Sequence, residues 1–393
     1  MHFDIGGKTA IVGVADVVPP RRVGYPSYWG LAAEASLGAL DEAGLTTKDI
    51  DGVVFARTGT PPPYPAYPTN FCQYMGITPA WMETAPHGGA PMGSLIWRAA
   101  LGIIAGFAKT VLVVCTDNRE SRFSRGGVVS YIAAHNFDTE YEYPYGPLVP
   151  SAFALMAQRH MHEYGTTSEQ LASVAVAARK WARLHPKALM KQPLSIEDVL
   201  NSRLISSPLH LLDICLVTDG GGAMVITSAE RAKDFSRKPV YVRGFGECGE
   251  SQNITYFSSY TEPHLIKIAT GQALRMAKLG IDDIDIAYPY DPSTFNAMWA
   301  LEDMGFCKKG EGGAFVSGGN IEPGGKLPVN THGGLLSYSH PGISGGFLGA
   351  IEAVRQLRGE CGERQVKGAR TAITHQMGGF YTMGVTVLGN TPS

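Results

Sequence analysis

An internal repeat constrains this chain more than any other feature. The stretch from Ala32 through Leu40-Asp41-Glu42-Ala43-Gly44-Leu45 to Asp49-Ile50-Asp51-Gly52-Val53-Val54-Phe55 reads as a helix, a Gly-terminated turn, an acidic N-cap region and a buried strand. It is echoed by Ala269, Leu274, Lys278-Leu279-Gly280 and Ile281-Asp282-Asp283-Ile284-Asp285-Ile286-Ala287-Tyr288. After each copy come a loop, a glycine-entered helix of small apolar residues (90–107 and 343–357) and a strand (110–115 and 370–374). Two copies of a β-α-β-α-β unit predict an α/β architecture with helices packed on sheets. The first of those strands is almost wholly apolar, which suits a sheet covered on both faces.

Between the copies the rhythm changes. Residues 117–228 read as an inserted loop lobe: a polar, tyrosine-rich stretch (119–145), helical segments at 152–164 and 168–184, and a basic run holding Arg179, Lys180, Arg183, Lys187 and Lys191. A Gly220-Gly221-Gly222 turn into an apolar strand closes this section. The chain therefore divides into an N-terminal half, residues 1–116 plus 117–230, and a C-terminal half, residues 231–393. The proline-rich loop at 60–70, with Tyr64 and Tyr67, is placed to border a substrate or a partner. A net charge of −2 gives no argument for nucleic acid or a membrane surface. No apolar run reaches the roughly 18–20 residues of a spanning helix. The first seven residues show no basic region followed by an apolar stretch. Six cysteines without CxxC or metal-ligand spacing suit reduced thiols in a cytoplasm.

Both buried helices begin just after a glycine-containing turn, at His87-Gly88-Gly89 and at Ser339-His340-Pro341. Helix N-termini present unpaired N–H groups and positive potential, so both turns are expected to face one pocket. The second belongs to Asn330-Thr331-His332-Gly333-Gly334-Leu335-Leu336-Ser337-Tyr338-Ser339-His340-Pro341-Gly342, which packs two histidines, a tyrosine and three glycines into a short loop. This loop, with Leu301-Glu302-Asp303-Met304-Gly305-Phe306-Cys307-Lys308-Lys309-Gly310-Glu311-Gly312 and Leu211-Leu212-Asp213-Ile214-Cys215-Leu216-Val217-Thr218-Asp219-Gly220, resembles segments of the thiolase superfamily, specifically its sterol-carrier-protein-x type. The resemblance spans nearly the whole chain. It implies a thiolase-like fold of two pseudo-repeated halves in a layered α-β-α-β-α core.

The departures carry as much information. Such thiolases hold a nucleophilic cysteine at the start of the first buried helix, where this chain has Gly88-Gly89-Ala90-Pro91-Met92. The family's second cysteine loop corresponds to His375-Gln376-Met377-Gly378-Gly379, and its Asn or His loop to Tyr290-Asp291-Pro292-Ser293-Thr294. Without a thiolate, acyl transfer through an acyl-enzyme loses its central step. A pocket that holds an acyl-CoA thioester and stabilises an enolate suits a retro-aldol cleavage of a β-hydroxyacyl-CoA, which needs acid and base but no nucleophile. Bacterial steroid side-chain acyl-CoA aldolases resemble this chain in lacking the cysteine and in the Tyr-Asp loop.

On this resemblance Tyr290, Tyr338, His340 and His332 are the candidate catalytic groups, with aromatic lining or helix capping as the plainer roles. Tyrosine titrates near 10, so a neighbour such as Asp291 or His340 would have to relay the proton. Gly89 and Gly378 are candidate backbone oxyanion donors, since glycine permits close approach. His87 and His375 flank or replace the lost cysteine sites. Arg179, Lys180 and Arg183 are candidates for CoA phosphates, against a solvated helix face. The resemblance further implies a homodimer, and a small OB-fold, zinc-ribbon partner completing a heterotetramer. Coenzyme A enters as part of the substrate, and any zinc belongs to the partner. Tyr131, Tyr141, Tyr143 and Tyr145 hint at a large apolar side chain or at partner contacts. The competing readings are a thiolase or acyltransferase acting on a β-ketoacyl-CoA, and a silent CoA- or lipid-binding subunit.

Overall fold

The computed structural model describes residues 5–19, 28–56, 67–85, 91–123, 125–251, 253–261, 264–379 and 382–393. Strand β1 (Thr9–Val17), helix α1 (Tyr28–Ala43), β2 (Gly52–Ala56), α2 (Tyr67–Met75), β3 (Trp81–Ala85), α3 (Pro91–Ile104) and β4 (Thr110–Asn118) come first. Then follow α4 (Arg119–Arg122), α5 (Arg125–Asn136), α6 (Val149–Tyr164), α7 (Ser168–Arg183), α8 (Ile196–Leu200), the short pair β5 (Leu204–Ser206) and β6 (Leu209–His210), and β7 (Asp219–Ser228). The remainder runs β8 (Val240–Gly249), α9 (His264–Ala277), β9 (Ile286–Tyr288), α10 (Thr294–Met304), α11 (Gly312–Ser317), α12 (Gly345–Arg358), β10 (Thr371–Gly378) and β11 (Thr382–Gly389).

Among the described residues nine strands share one sheet in the order β3-β2-β4-β7-β1-β8-β11-β10-β9. The repeat is visible in its pairing. β2 and β4 run parallel, and β7 lies antiparallel to both β4 and β1. In the second half β9 and β10 run parallel, and β11 lies antiparallel to both β10 and β8. The halves meet where Ala10 and Ile11 pair with Tyr241 and Val240. The first half adds β3, parallel to β2 at the sheet edge.

The boundary of the inserted lobe needs a correction. Residues 219–228, expected inside it, form β7 between β4 and β1, because a fully buried Gly-Gly-Gly-Ala-Met-Val-Ile run completes a ladder and needs partners on both edges.

The repeat extends to close approach of backbones. A Cβ added at Gly13 on β1 would lie 2.2 Å from the Ala39 carbonyl of α1, and one at Gly246 on β8 would lie 1.9 Å from the Ala269 carbonyl of α9. Only glycine lets either helix sit that near its strand. On the other face, Leu95, Ile96 and Ala99 of α3 pack with Phe347, Ile351 and Val354 of α12. Helix α12 is buried nearly all round, so its Glu352 and Gln356 must find partners inside the protein.

Candidate active site

The loop at 330–342 holds a conformation that only its glycines allow. Gly333, Gly334 and Gly342 have φ of 106°, 63° and 60°, and residues Gly334–Tyr338 make one π-type turn. A Cβ at Gly334 would lie 2.0 Å from Asp291 Oδ2. The loop is fastened from several sides. Leu335 N–H donates to Asp291 Oδ1 (2.9 Å), Arg179 Nε–H to Ser337 Oγ (2.9 Å), and Met190 N–H to the Ser337 carbonyl (3.0 Å). Ser339 Oγ meets Thr218 Oγ1 at 2.8 Å.

At the end of this loop His340 meets Tyr290, with Oη and Nε2 3.0 Å apart. His340 Nδ1 lies 3.0 Å from the Leu216 carbonyl, which can only accept, so Nδ1 carries the ring proton. Nε2 is then a lone pair, and the Tyr290 hydroxyl donates to it. Desolvation, reinforced by the Arg119 cation, pushes the His340 imidazole down to about 4. Burial pushes the Tyr290 phenol well above its ordinary range. At neutral pH the pair is therefore an uncharged phenol bonded to an uncharged imidazole. Tyr290 is almost fully buried, whereas His340 keeps part of its surface open.

Further groups hold Tyr290 in place or act on it. Its backbone N–H donates to His375 Nδ1 (3.3 Å), and burial pushes the His375 imidazole down to about 3. Asp291, next in sequence, ties the Tyr290 segment to the loop, and burial raises its carboxyl to about 8. Arg119, Cys215 and Cys115 lie within electrostatic range of the Tyr290 hydroxyl. Cys115 is fully buried and its thiol is pushed far up, so it is no thiolate.

His332 and Tyr338 belong to a second, separate polar cluster. Tyr338 donates its hydroxyl to Asp16 Oδ2, and Asp16 is paired with Arg355 and, at 3.2 Å, with Lys187. The His332 ring packs edge-on to Tyr338, centroids 5.1 Å apart, and His185 does so at 4.5 Å. Glu352 accepts from Arg364 Nε (2.8 Å), Arg364 Nη2 (3.0 Å) and Thr331 Oγ1 (3.0 Å), and Tyr288 Oη lies 2.9 Å from Thr331 Oγ1. The structure thus joins Tyr290, His340, Asp291 and His375, and sets Tyr338 and His332 elsewhere.

The basic run also parts company. Arg179 is buried, with Nε on Ser337 and Nη1 on the Gln192 carbonyl (2.8 Å), so it fastens the loop instead of meeting phosphates. Lys180 pairs with Glu322 at 2.6 Å, and Arg183 is exposed. Gly378 ends β10, opposite Thr382. His87, Gly89, Tyr64 and most of the 60–70 loop lie outside the described residues. Among the described residues no group of three or more His, Cys, Asp or Glu side chains is arranged to hold a metal ion. No helix among them is long and apolar enough to cross a membrane. Sequence reading missed Arg119, Asp16, Glu352 and His185. The one signal for Arg119 is its place directly after β4, since open α/β sheets put functional groups at the carboxyl ends of parallel strands.

The fold is that of a thiolase-like protein. Residues 246–390 match the family model described as "Thiolase C-terminal domain-like". The chain is 36% identical over 369 residues to the 17-hydroxy-3-oxo-4-pregnene-20-carboxyl-CoA lyase of Mycobacterium tuberculosis, covering 90% of this chain and 92% of that protein. It is 33% identical over 356 residues to the acetyl-CoA acetyltransferase of Methanothermobacter thermautotrophicus, covering 90% and 92%. The solved structure of the Ltp2-ChsH2(DUF35) aldolase superposes with a TM-score of 0.87 at 32% identity, covering 98% of each chain. The chain belongs to the thiolase superfamily.

Proposed function

We propose that this chain is an acyl-CoA aldolase, a carbon–carbon lyase that cleaves a β-hydroxyacyl-CoA bearing a steroid or other bulky side chain. The observation that carries the reading is the Tyr290–His340 hydrogen bond, whose direction is fixed by the Leu216 carbonyl. In the cleavage, the substrate's β-hydroxyl gives its proton to the Tyr290 oxygen as Tyr290 passes its own to His340 Nε2. The Cα–Cβ bond breaks, its electron pair enters the thioester enolate, and the β-carbon leaves as a ketone or aldehyde. A proton returned to Cα completes the shorter acyl-CoA. Atoms balance without water, oxidant or free CoA. His340 holds the extra proton only while the enolate carries the compensating negative charge, and backbone N–H groups at Gly89 and Gly378 are the donors proposed for that oxyanion. The relative named as a 17-hydroxy-3-oxo-4-pregnene-20-carboxyl-CoA lyase and the solved Ltp2-ChsH2(DUF35) aldolase support this reading.

Coenzyme A enters as part of the substrate. The name of the Ltp2-ChsH2(DUF35) aldolase couples two components, and we extend that to this chain: a homodimer bound to a small OB-fold, zinc-ribbon partner, in the cytoplasm. The zinc belongs to that partner.

The test gives purified protein, with and without such a partner, a β-hydroxyacyl-CoA, and separately a β-ketoacyl-CoA with free CoA. Carbonyl release from the first, without free CoA, is the expected result. Tyr290→Phe should lower that rate by about 10²–10⁴ while the protein stays folded. Wild-type turnover in Tyr290→Phe would sink the site assignment. A second reading, acyl transfer, is favoured by the acetyltransferase relative and by Cys215 near Tyr290. CoA-dependent cleavage that disappears in Cys215→Ala would establish it.

A further inference from the structure

Arg119 opens α4, immediately past the end of β4, and its side chain is largely buried. Two contacts fix it. Its Nε donates to Asp117 Oδ2 at 3.0 Å, and the Asp117 side chain is wholly shielded from solvent. Its guanidinium lies against the turn that follows His340: a Cβ added at Gly342 would fall 2.2 Å from Nε and 2.4 Å from Cζ. With φ of 60°, Gly342 is the residue that lets the turn and the guanidinium occupy this space. A fixed cation thus adjoins a ring whose free lone pair is the acceptor in the proposed relay.

We infer that Arg119 is the positioning residue of this site, seating the His340–Gly342 turn and keeping His340 a neutral acceptor for Tyr290. This rests on the aldolase reading for its catalytic meaning, though not for its electrostatics. A like charge beside an imidazole disfavours imidazolium. Among the described residues the groups facing His340 are the Tyr290 hydroxyl at Nε2, the Leu216 carbonyl at Nδ1, the Thr218 hydroxyl at the backbone N–H (3.0 Å), the Gly342 backbone, and Arg119 with Asp117 behind it. Beyond Tyr290 lie Cys215, Asp291, Cys115 and His375. Arg119 is the charged side chain among those acting on the imidazole, second only to burial in holding it down to about 4. The cation's sign also matters for Tyr290, whose ionised form it favours. Without Arg119, His340 would begin to protonate at a higher pH, and its Nε2 would turn from acceptor to donor.

The experiment follows His340 directly. Full-length protein with isotope-labelled histidine is titrated by NMR, the His340 signal being the one lost in His340→Gln, and the pH–rate profile is recorded on the same samples. In Arg119→Gln the His340 midpoint should rise by about one unit. The acid limb of kcat should move up with it, with KM unchanged, so that the rate at pH 5, normalised to pH 8, falls about twofold. Arg119→Lys, which keeps the charge, should restore most of the wild-type profile. Arg119→Met, which keeps the apolar stem against Gly342, serves if the glutamine variant does not fold. An unmoved midpoint, or a loss of rate uniform in pH, overturns the assignment. Tyr290→Phe is run alongside: wild-type turnover there would sink the Tyr290–His340 relay on which the catalytic meaning rests, and leave the His340 titration, and with it the electrostatic role of Arg119, standing.

Discussion

One loop feeds two buried polar clusters of opposite character. His332 and Tyr338 go to a cluster built from full charges, where Asp16 pairs with Arg355 and Lys187, and Glu352 with Arg364. These ion pairs hold the Asp16 and Glu352 carboxyls below their ordinary range despite burial. His340, two residues after Tyr338, goes instead to a pair with no full charge of its own, Tyr290 and a neutral imidazole. Compensated ion pairs are costly to break and poor at exchanging protons. An uncharged phenol–imidazole pair can pass a proton between its two partners without breaking an ion pair. The first arrangement stiffens the core between α12, β1 and the loop, and the second is suited to acid–base chemistry.

The largest expected effect breaks the charged cluster. Glu352→Gln would leave the Arg364 guanidinium buried without its carboxylate and should cost about 3–5 kcal/mol of stability, measured by urea unfolding. Turnover per folded molecule should stay near wild type. If stability held and turnover collapsed, the charged cluster would belong to the chemistry and the contrast would fail.

Acid is the next probe, and it acts on both clusters. Burial holds His185, His332 and His375 neutral, with His185 and His375 pushed down to about 3 and His332 to about 4. Between the unfolded value of about 6.5 and these folded values, the unfolded chain binds protons that the native one refuses. Stability therefore falls as pH drops through that window, by about 2 kcal/mol per histidine at pH 5. Asp291 opposes this. Its carboxyl, raised to about 8, keeps a proton in the native state down to the unfolded carboxylate range, so its contribution grows as pH falls. Three histidines outweigh one aspartate, and the urea midpoint should drop clearly between pH 7 and pH 5. A flat profile would mean that the rings are charged in the folded protein.

Much of the architecture was legible in the sequence because the repeat is written in hydrophobic period and glycine placement. Helix, turn and strand recur at Ala32–Phe55 and Ala269–Tyr288, and the pairing of β2-β4-β7-β1 with β9-β10-β11-β8 follows that order. The glycine loop was legible too, with His340 or Asp291 as the candidate relay for Tyr290 or Tyr338. The division of labour within the loop was not. Whether residue 338 or residue 340 meets Tyr290 depends on one π-type turn and on which side Asp16 approaches, and Asp16 lies 322 residues away along the chain. Arg179 misled for a similar reason. A basic helical run reads as solvated, yet one of its positions turns inward to reach Ser337. Long-range partners of single polar residues leave no periodic trace.

The smallest predicted effect is the sharpest divider. Tyr338 is a catalytic candidate by its place in the loop, but its hydroxyl is spent on Asp16, and its phenol is pushed far above the range in which it could serve as a base. Tyr338→Phe removes one hydrogen bond from a carboxylate that keeps Arg355 and Lys187, so stability should fall by about 2 kcal/mol. The rate of carbonyl release should change less than twofold, against the two to four orders of magnitude expected of Tyr290→Phe. A hundredfold loss of rate in Tyr338→Phe with near-native stability would show that Tyr338 leaves Asp16 when substrate binds. The two clusters would then be successive states of one site, and the Asp16 hydrogen bond would be a resting position for the tyrosine instead of a structural tie.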